Sequence, residues 1–214
     1  MTQVKFDIST SLDGYIAGPD PDLEQPLGAG GEQLHEWGVK LSIWREQHGL
    51  AGGEVNADNE IMAESIDGIG AYVMGRGMFG GGVGPWGEEP WSGWWGEEPP
   101  FHAPVFVVTH HARAPLPREG GTTFHFVTEG VEAAVAQAQQ AAGEADVLLA
   151  GGASVIQQAL RAGLVDEFQL HVAPVLLGGG TPLFAGLGPD DVQVETVRVV
   201  ESPSVTHLKY RVVQ

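Results

Sequence analysis

At 214 residues the chain is long enough for one sizeable hydrophobic core and short for two. A formal net charge of −18, from 10 Lys+Arg against 28 Asp+Glu, argues against nucleic-acid or anionic-membrane partners, and the lack of cysteine removes disulfides and thiolate chemistry. No apolar run is long enough to cross a bilayer and "MTQVKFDIST" carries no signal-peptide pattern, so a cytoplasmic protein is expected.

In chain order, "VKFDIST" alternates apolar and polar residues and reads as a strand, followed by the turn-forming "SLDGYIAG". A loop rich in Pro, Gly and acid covers residues 19–31. Leu34, Trp37, Leu41 and Trp44 then recur at intervals of three and four, which predicts one amphipathic helix stopped near Gly49. A second helix follows, with Asn56 as its N-cap and Ile61, Ala63 and Ile66 facing the core. "AYVMG" is a short buried strand running into "RGMFGGGVG". Residues 85–100, "PWGEEPWSGWWGEEPP", have no helical or strand period and read either as an aromatic lid or as an interface plug. "APVFVVTHH" and "TTFHFVTEG" are strands, "VEAAVAQAQQAAG" a helix, "DVLLAGG" a strand, "ASVIQQALRAG" a helix and "DEFQLHVAPVLLG" a longer strand. Two antiparallel strands around Ser202-Pro203 close the chain. The alternation predicts one α/β domain with a mainly parallel sheet and an antiparallel C-terminal hairpin at its edge.

Ligands of open parallel sheets gather outside the carboxyl ends of the strands. Three such ends carry suitable chemistry: Gly75, Arg76 and Gly77; Thr109, His110 and Arg113; and Gly151, Gly152, Ala153, Ser154 and Val155. Glycines let backbone approach a ligand, a helix N-terminus offers free N–H groups to phosphate, and arginine supplies charge. A Gly-Gly pair also serves plain tight packing. His102, His110, His111 and His125 have no standard ligand spacing, so no metal site is expected.

The order of "SLDGYIAG", "VMGR", "VFVVTHHAR", "LLAGGASVIQQAL" and "DEFQLHVAPVLLGGGTPLF" resembles the dihydrofolate reductase family, and more closely the bacterial dihydrofolate reductase family proteins that share this fold with the reductase domain of riboflavin biosynthesis. The resemblance runs over almost the whole chain. It implies a three-layer dihydrofolate reductase-like fold, a small-molecule substrate, a homodimer and an NADPH cofactor, with NADH also open. By the same resemblance Ile16 and Ala17 lie near the nicotinamide, Gly75 to Gly77 face phosphates, Thr109, His110 and Arg113 lie near the adenosine ribose, and Gly151 to Val155 cradle the pyrophosphate. Ser154 stands where dihydrofolate reductases commonly carry an arginine for a 2′-phosphate.

The chemistry is less legible than the fold. Glu32, His35 and Glu36 fall roughly where dihydrofolate reductases hold a pterin-binding carboxylate, but the flanking motif is missing, so folate reduction is not expected. His171 shares a strand face with Gln169 and Ala173 and is the candidate proton donor, set against a core histidine satisfied by backbone. Asp13 is a second candidate, set against a turn cap. The expected function is an NAD(P)H-dependent reductase acting on a small heteroaromatic or carbonyl substrate. Its alternatives are a riboflavin-pathway pyrimidinone reductase and a non-catalytic dinucleotide-binding module.

Overall fold

Apolar runs that lack alternation become strands covered on both faces, and here they assemble side by side with helices returning the chain between them. The computed structural model describes residues 2–82, 84–88 and 91–213. Its strands are β1 (Val4–Thr10), β2 (Tyr15–Ala17), β3 (Ile69–Gly75), β4 (Pro104–Val108), β5 (Leu116–Pro117), β6 (Thr123–Val127), β7 (Asp146–Gly151), β8 (Glu167–Val172), β9 (Thr181–Pro182), β10 (Gln193–Glu201) and β11 (Thr206–Val213). Its α-helices are α1 (Ser42–Gln47), α2 (Ala57–Ile66), α3 (Arg76–Phe79), α4 (Val131–Ala142) and α5 (Ala153–Arg161).

Nine strands form one sheet in the order β10-β11-β8-β1-β7-β3-β4-β6-β5, and β2 pairs with β9 in a separate ribbon. Every neighbour pair from β8 to β6 is parallel. The β10–β11 hairpin adds antiparallel at one edge, as expected, and the short β5 adds antiparallel at the other. One layer against the sheet is α4 and α5, whose Val131, Ala134, Val135, Ala138, Ile156, Ala159 and Leu160 join Phe6, Val73 and Leu149 in the main core. Burying each large aliphatic or aromatic side chain in such a core contributes about 1.5–3 kcal/mol before entropy is counted.

The tryptophan-rich segment supplies cover elsewhere, in a cluster with Phe79, Val105, Val107 and Phe124. Its indoles are tied to the chain's own carbonyls: Trp86 Nε1 donates to His111 O at 2.9 Å, Trp91 to Phe79 O at 2.8 Å and Trp94 to Met78 O at 2.9 Å. Glu89 and Pro90 of this segment lie outside the described residues.

The helix expected from Leu34 to Trp44 is a finding of difference. The chain makes a 3-10 turn at Gly31–Leu34, further turns, and only the six-residue α1. Leu34, Trp37 and Leu41 are nevertheless buried, so the periodicity identified these three inward side chains, while Trp44 is only partly buried. Gly38 is the local reason for close approach: a Cβ there would sit 2.9 Å from Met62 Cε on α2. The Asn56 cap forms as expected, its Oδ1 accepting from Asn59 N at 3.1 Å. β8 ends at Val172, short of the longer strand anticipated, because Ala173 and Pro174 turn the chain away from the sheet.

Candidate active site

The carboxyl ends of β8, β1, β7, β3 and β4 open into one cleft of about 1600 Å³. Its two ends differ in chemistry.

At the tips of β7, β3 and β4 the wall is mostly backbone. Gly75, Arg76 and Gly77 lie where β3 enters α3, Thr109 and His110 follow β4, and Gly151, Gly152, Ala153, Ser154 and Val155 carry β7 into α5. Ile16 and Ala17 on β2 complete this side. An added Cβ at Gly77 or Gly152 would meet no atom within 4 Å, so both glycines border open space. Gly152 is the N-cap of α5 and no side chain caps that helix end, which leaves its first N–H groups to a ligand. Arg76 Nε donates to Gly80 O at 3.0 Å and Nη2 to Gly81 O at 2.9 Å, while the guanidinium carbon stands 3.2 Å from the Trp86 ring centroid. Its Nη1 is buried and has no partner among the described residues. A buried orphan donor beside bare backbone and a free helix N-terminus suits an anionic group such as a dinucleotide phosphate.

Two expected residues lie elsewhere. Arg113 does not line the cleft: its Nη1 donates to Trp91 O at 2.6 Å and it faces the Trp86 and Phe126 rings, so it holds the tryptophan segment. Asp13 does not line it either. Its carboxylate accepts from Leu177 N at 3.1 Å and Gly178 N at 2.7 Å, tying the loop before β2 to the loop before β9. It is exposed, and its proton affinity is lowered by hydrogen bonds from Ser11 and from those two backbone amides. The sequence reading of a cap within its own turn missed this partner because it is far along the chain.

At the other end, over β1 and β8, the cleft meets a row of ionisable side chains. His171 lines it, as does Asp7. His171 is not satisfied by backbone. Its Nε2 contacts Asp7 Oδ1 on the neighbouring strand and its Nδ1 stands 2.6 Å from Nδ1 of His207. His207 Nε2 in turn meets Asp58 Oδ1 of α2 at 3.0 Å. The geometry follows from register: His207 of β11 is the direct antiparallel partner of His171, and Ser9 of β1 is its parallel partner. Asp7 Oδ2 also accepts from Ser65 and, at 3.1 Å, from Gln169 Nε2. Burial pushes the Asp7 carboxyl up, but the charge and hydrogen bond of His171, with those of Ser65 and Gln169, hold it below the usual carboxylate value. Trp37 packs on both imidazoles, 4.6 Å from His171 and 5.2 Å from His207. Asp7, Asp58, Ser65 and His207 are residues that sequence reasoning missed; the one signal available was a carboxylate and a histidine on strands that must be neighbours.

Residues 2–208 match the RibD C-terminal domain family. The chain belongs to that family. RibD C-terminal domains carry the dihydrofolate reductase-like fold, which bears out the expected family and the expected fold. Among relatives, YyaP of Bacillus subtilis (strain 168) is 56% identical over 39 residues, 18% of this chain and 21% of that protein. The match to this curated relative therefore spans about a fifth of its length. A protein ascribed to riboflavin biosynthesis in Shewanella sp. PV-4 superposes with a TM-score of 0.63 at 24% identity, covering 100% of both chains. The diaminohydroxyphosphoribosylaminopyrimidine deaminase/5-amino-6-(5-phosphoribosylamino)uracil reductase of Thermotoga maritima superposes with a TM-score of 0.56 at 15% identity, covering 99% of this chain and 57% of that one. No helix among the described residues is long and apolar enough to cross a membrane.

Proposed function

We propose that the chain is a reductase that binds NADPH across the tips of β7, β3 and β4 and delivers hydride to a small heteroaromatic or carbonyl acceptor seated over Asp7 and His171. One observation carries this reading: the glycine-walled, phosphate-suited end and the Asp7–His171 end belong to a single continuous cleft. When bound, the nicotinamide supplies the hydride; the protein supplies position and a proton. Gly75, Gly77, Gly151 and Gly152 admit the diphosphate, Arg76 Nη1 and the first N–H groups of α5 hold it, and Ile16 and Ala17 flank the nicotinamide. Thr109 and His110 border the adenosine side. Family membership supports NADPH over NADH.

Charge favours an acceptor without phosphate. Of the 10 Lys and Arg residues, Arg76 alone lines the cleft, and it sits at the cofactor end. The acceptor end is walled instead by Leu23, Leu27, Trp37, Val39, Trp44 and Met62. An acceptor carrying a ribose phosphate would bring a dianion to a wall with no cation. The edge strand β10 exposes Val194, Val197 and Val199, which supports a homodimer through that edge. A cytoplasmic setting belongs to the same reading.

The test is calorimetric titration with NADPH and NADH, followed by oxidation of the bound coenzyme against a panel of quinones, conjugated carbonyls and amino-pyrimidines with and without a ribose phosphate. Tight NADPH binding with turnover of unphosphorylated acceptors is expected. Binding of neither coenzyme overturns the reading, and binding without any turnover favours a dinucleotide-binding module.

A further inference from the structure

The row Asp7–His171–His207–Asp58 contains three successive hydrogen bonds. Each needs one hydrogen between its two heavy atoms. Two ionised carboxylates and two neutral imidazoles bring only two. If both Nε2 atoms donate to their carboxylates, the two Nδ1 atoms face each other as bare lone pairs at 2.6 Å, which is repulsive. The row is complete only with a third proton, and this holds wherever along the row that proton resides. The four residues then carry a net charge of −1.

The two ends of the row have different surroundings. Side-chain exposure is 18% for Asp7, against 4% for His171, 1% for His207 and 7% for Asp58. Asp7 and His171 open into the cleft, whereas Asp58 Oδ2 accepts from Ser202 Oγ at 3.1 Å in the half-exposed turn of the β10–β11 hairpin. Trp37 seals the middle, its Nε1 donating to Ser9 Oγ at 3.1 Å. The other ionisable or polar groups facing the row are Ser65 of α2, Gln169 of β8, Arg198 of β10, which donates to Gln169 Oε1 at 3.2 Å and to Glu64 at 2.8 Å, and His35 from the turn before α1.

We infer that this row stores one proton, releases it from the Asp7–His171 end to the acceptor heteroatom during reduction, and is refilled at that same end from the cleft, while His207 and Asp58 hold the two remaining hydrogens in place. The inference rests on the reductase reading. Reduction of a C=X bond places the hydride pair on carbon and leaves X short of one proton; transfer of the stored proton forms X–H, and return of one solvent proton from the cleft to the Asp7–His171 bond restores the row. His207 and Asp58 touch no acceptor, so they are positioning residues, and Asp7 with His171 is the delivering pair.

The experiment has two readouts. In histidine-¹⁵N-labelled protein at neutral pH, a strongly deshielded proton coupled to both Nδ1 atoms is expected without any coenzyme, and it disappears in His207→Gln. Its absence from the native protein overturns the stored proton, whatever the fate of the reductase reading. The second readout is single-turnover oxidation of bound NADPH by whichever panel acceptor the native protein reduces fastest. Asp58→Asn can keep the hydrogen bond to His207 Nε2 while removing its charge, so it serves where His207→Gln fails to fold. It is expected to move the limb of the pH–rate profile that requires a proton to lower pH by about one unit, and to slow transfer at pH 8 by up to tenfold, with the NADPH dissociation constant unchanged. A pH profile that does not move overturns delivery of the stored proton, as does a native protein that binds NADPH and reduces no panel member. Failure of NADPH to bind at all sinks the reductase reading and leaves the proton count to the spectrum.

Discussion

The two ends of the cleft are built by opposite means. At the β7–β3–β4 tips the chain leaves side chains out: Gly75, Gly77, Gly151 and Gly152 present main chain, and the single guanidinium of Arg76 keeps one donor without a partner among the described residues. Over β1, β8 and β11 the chain inserts ionisable side chains into the core and satisfies them with one another. The first end can change at Gly77 and Gly152 without disturbing the fold, because these two border open space, whereas Gly75 lies against Val155 and Gly151 against Met78. The second cannot, because each member of the row is the other's solvent. Substitutions at one end should therefore act on binding and at the other on stability.

The largest effect is expected from Asp58→Ala. It removes the acceptor for His207 Nε2 and Ser202 Oγ in a nearly sealed site, and urea unfolding should show a loss of about 3–5 kcal/mol. A loss below about 1 kcal/mol would erase the contrast between the ends. Trp86→Ala comes next. It removes the ring over Arg76 and the donor to His111 O, so thermal or chemical unfolding should register about 2 kcal/mol. The same change should sharpen the comparison by freeing the Arg76 guanidinium to move, which calorimetry with NADPH would detect as altered affinity.

Gly77→Glu tests the other side. The position is exposed and an added Cβ meets nothing, so stability should stay within about 0.5 kcal/mol. A carboxylate beside the proposed phosphates should weaken NADPH about tenfold, or about 1.4 kcal/mol. Unchanged affinity would move the diphosphate away from α3. The smallest effect is that of pH. Burial lowers His207 below the ordinary imidazole value of 6.5, partly countered by the Asp58 hydrogen bond and reinforced by His171. Burial and then His171 lower His35. As pH falls below 6.5 the unfolded chain takes up these protons first. The contribution of these two lowered histidines is thus full above that value and declines as pH falls toward the folded-state values, by at most about 1 kcal/mol per histidine between pH 6.5 and 5.5, whereas the row's stored proton adds stability as pH falls through the range above 6.5. Urea midpoints at pH 6.5 and 5.5 check this, and a higher midpoint at the lower pH would reverse the sign.

The division between the ends is also a division in what could be read beforehand. Gly151-Gly152 before α5, Gly75-Arg76-Gly77 after β3 and Thr109-His110 after β4 were legible because each is a strand end followed by a local turn, and all of them line the cleft. Arg113 and Asp13 were not. Arg113 is claimed by Trp91 and Trp86, and Asp13 by Leu177 and Gly178, partners whose nearness no local pattern encodes. His171 was singled out, but its partners were not: His207 is 36 residues away and Asp7 is 164. The region before α1 shows the converse case, in which periodicity identified the inward residues Leu34, Trp37 and Leu41 while the backbone followed turns rather than one helix.

The linear order of residues determined the strands, the helices that return between them, the glycine-bearing strand tips and the acidic surface, because these depend on side-chain periodicity, turn chemistry and charge within a few positions. Only the tertiary structure decided that four ionisable residues from β1, α2, β8 and β11 share one row of hydrogen bonds, and that the tryptophan segment takes up one of the two arginines meant for phosphate. Both outcomes depend on strand order and register, which bring distant positions within hydrogen-bonding distance and which no short stretch of sequence specifies.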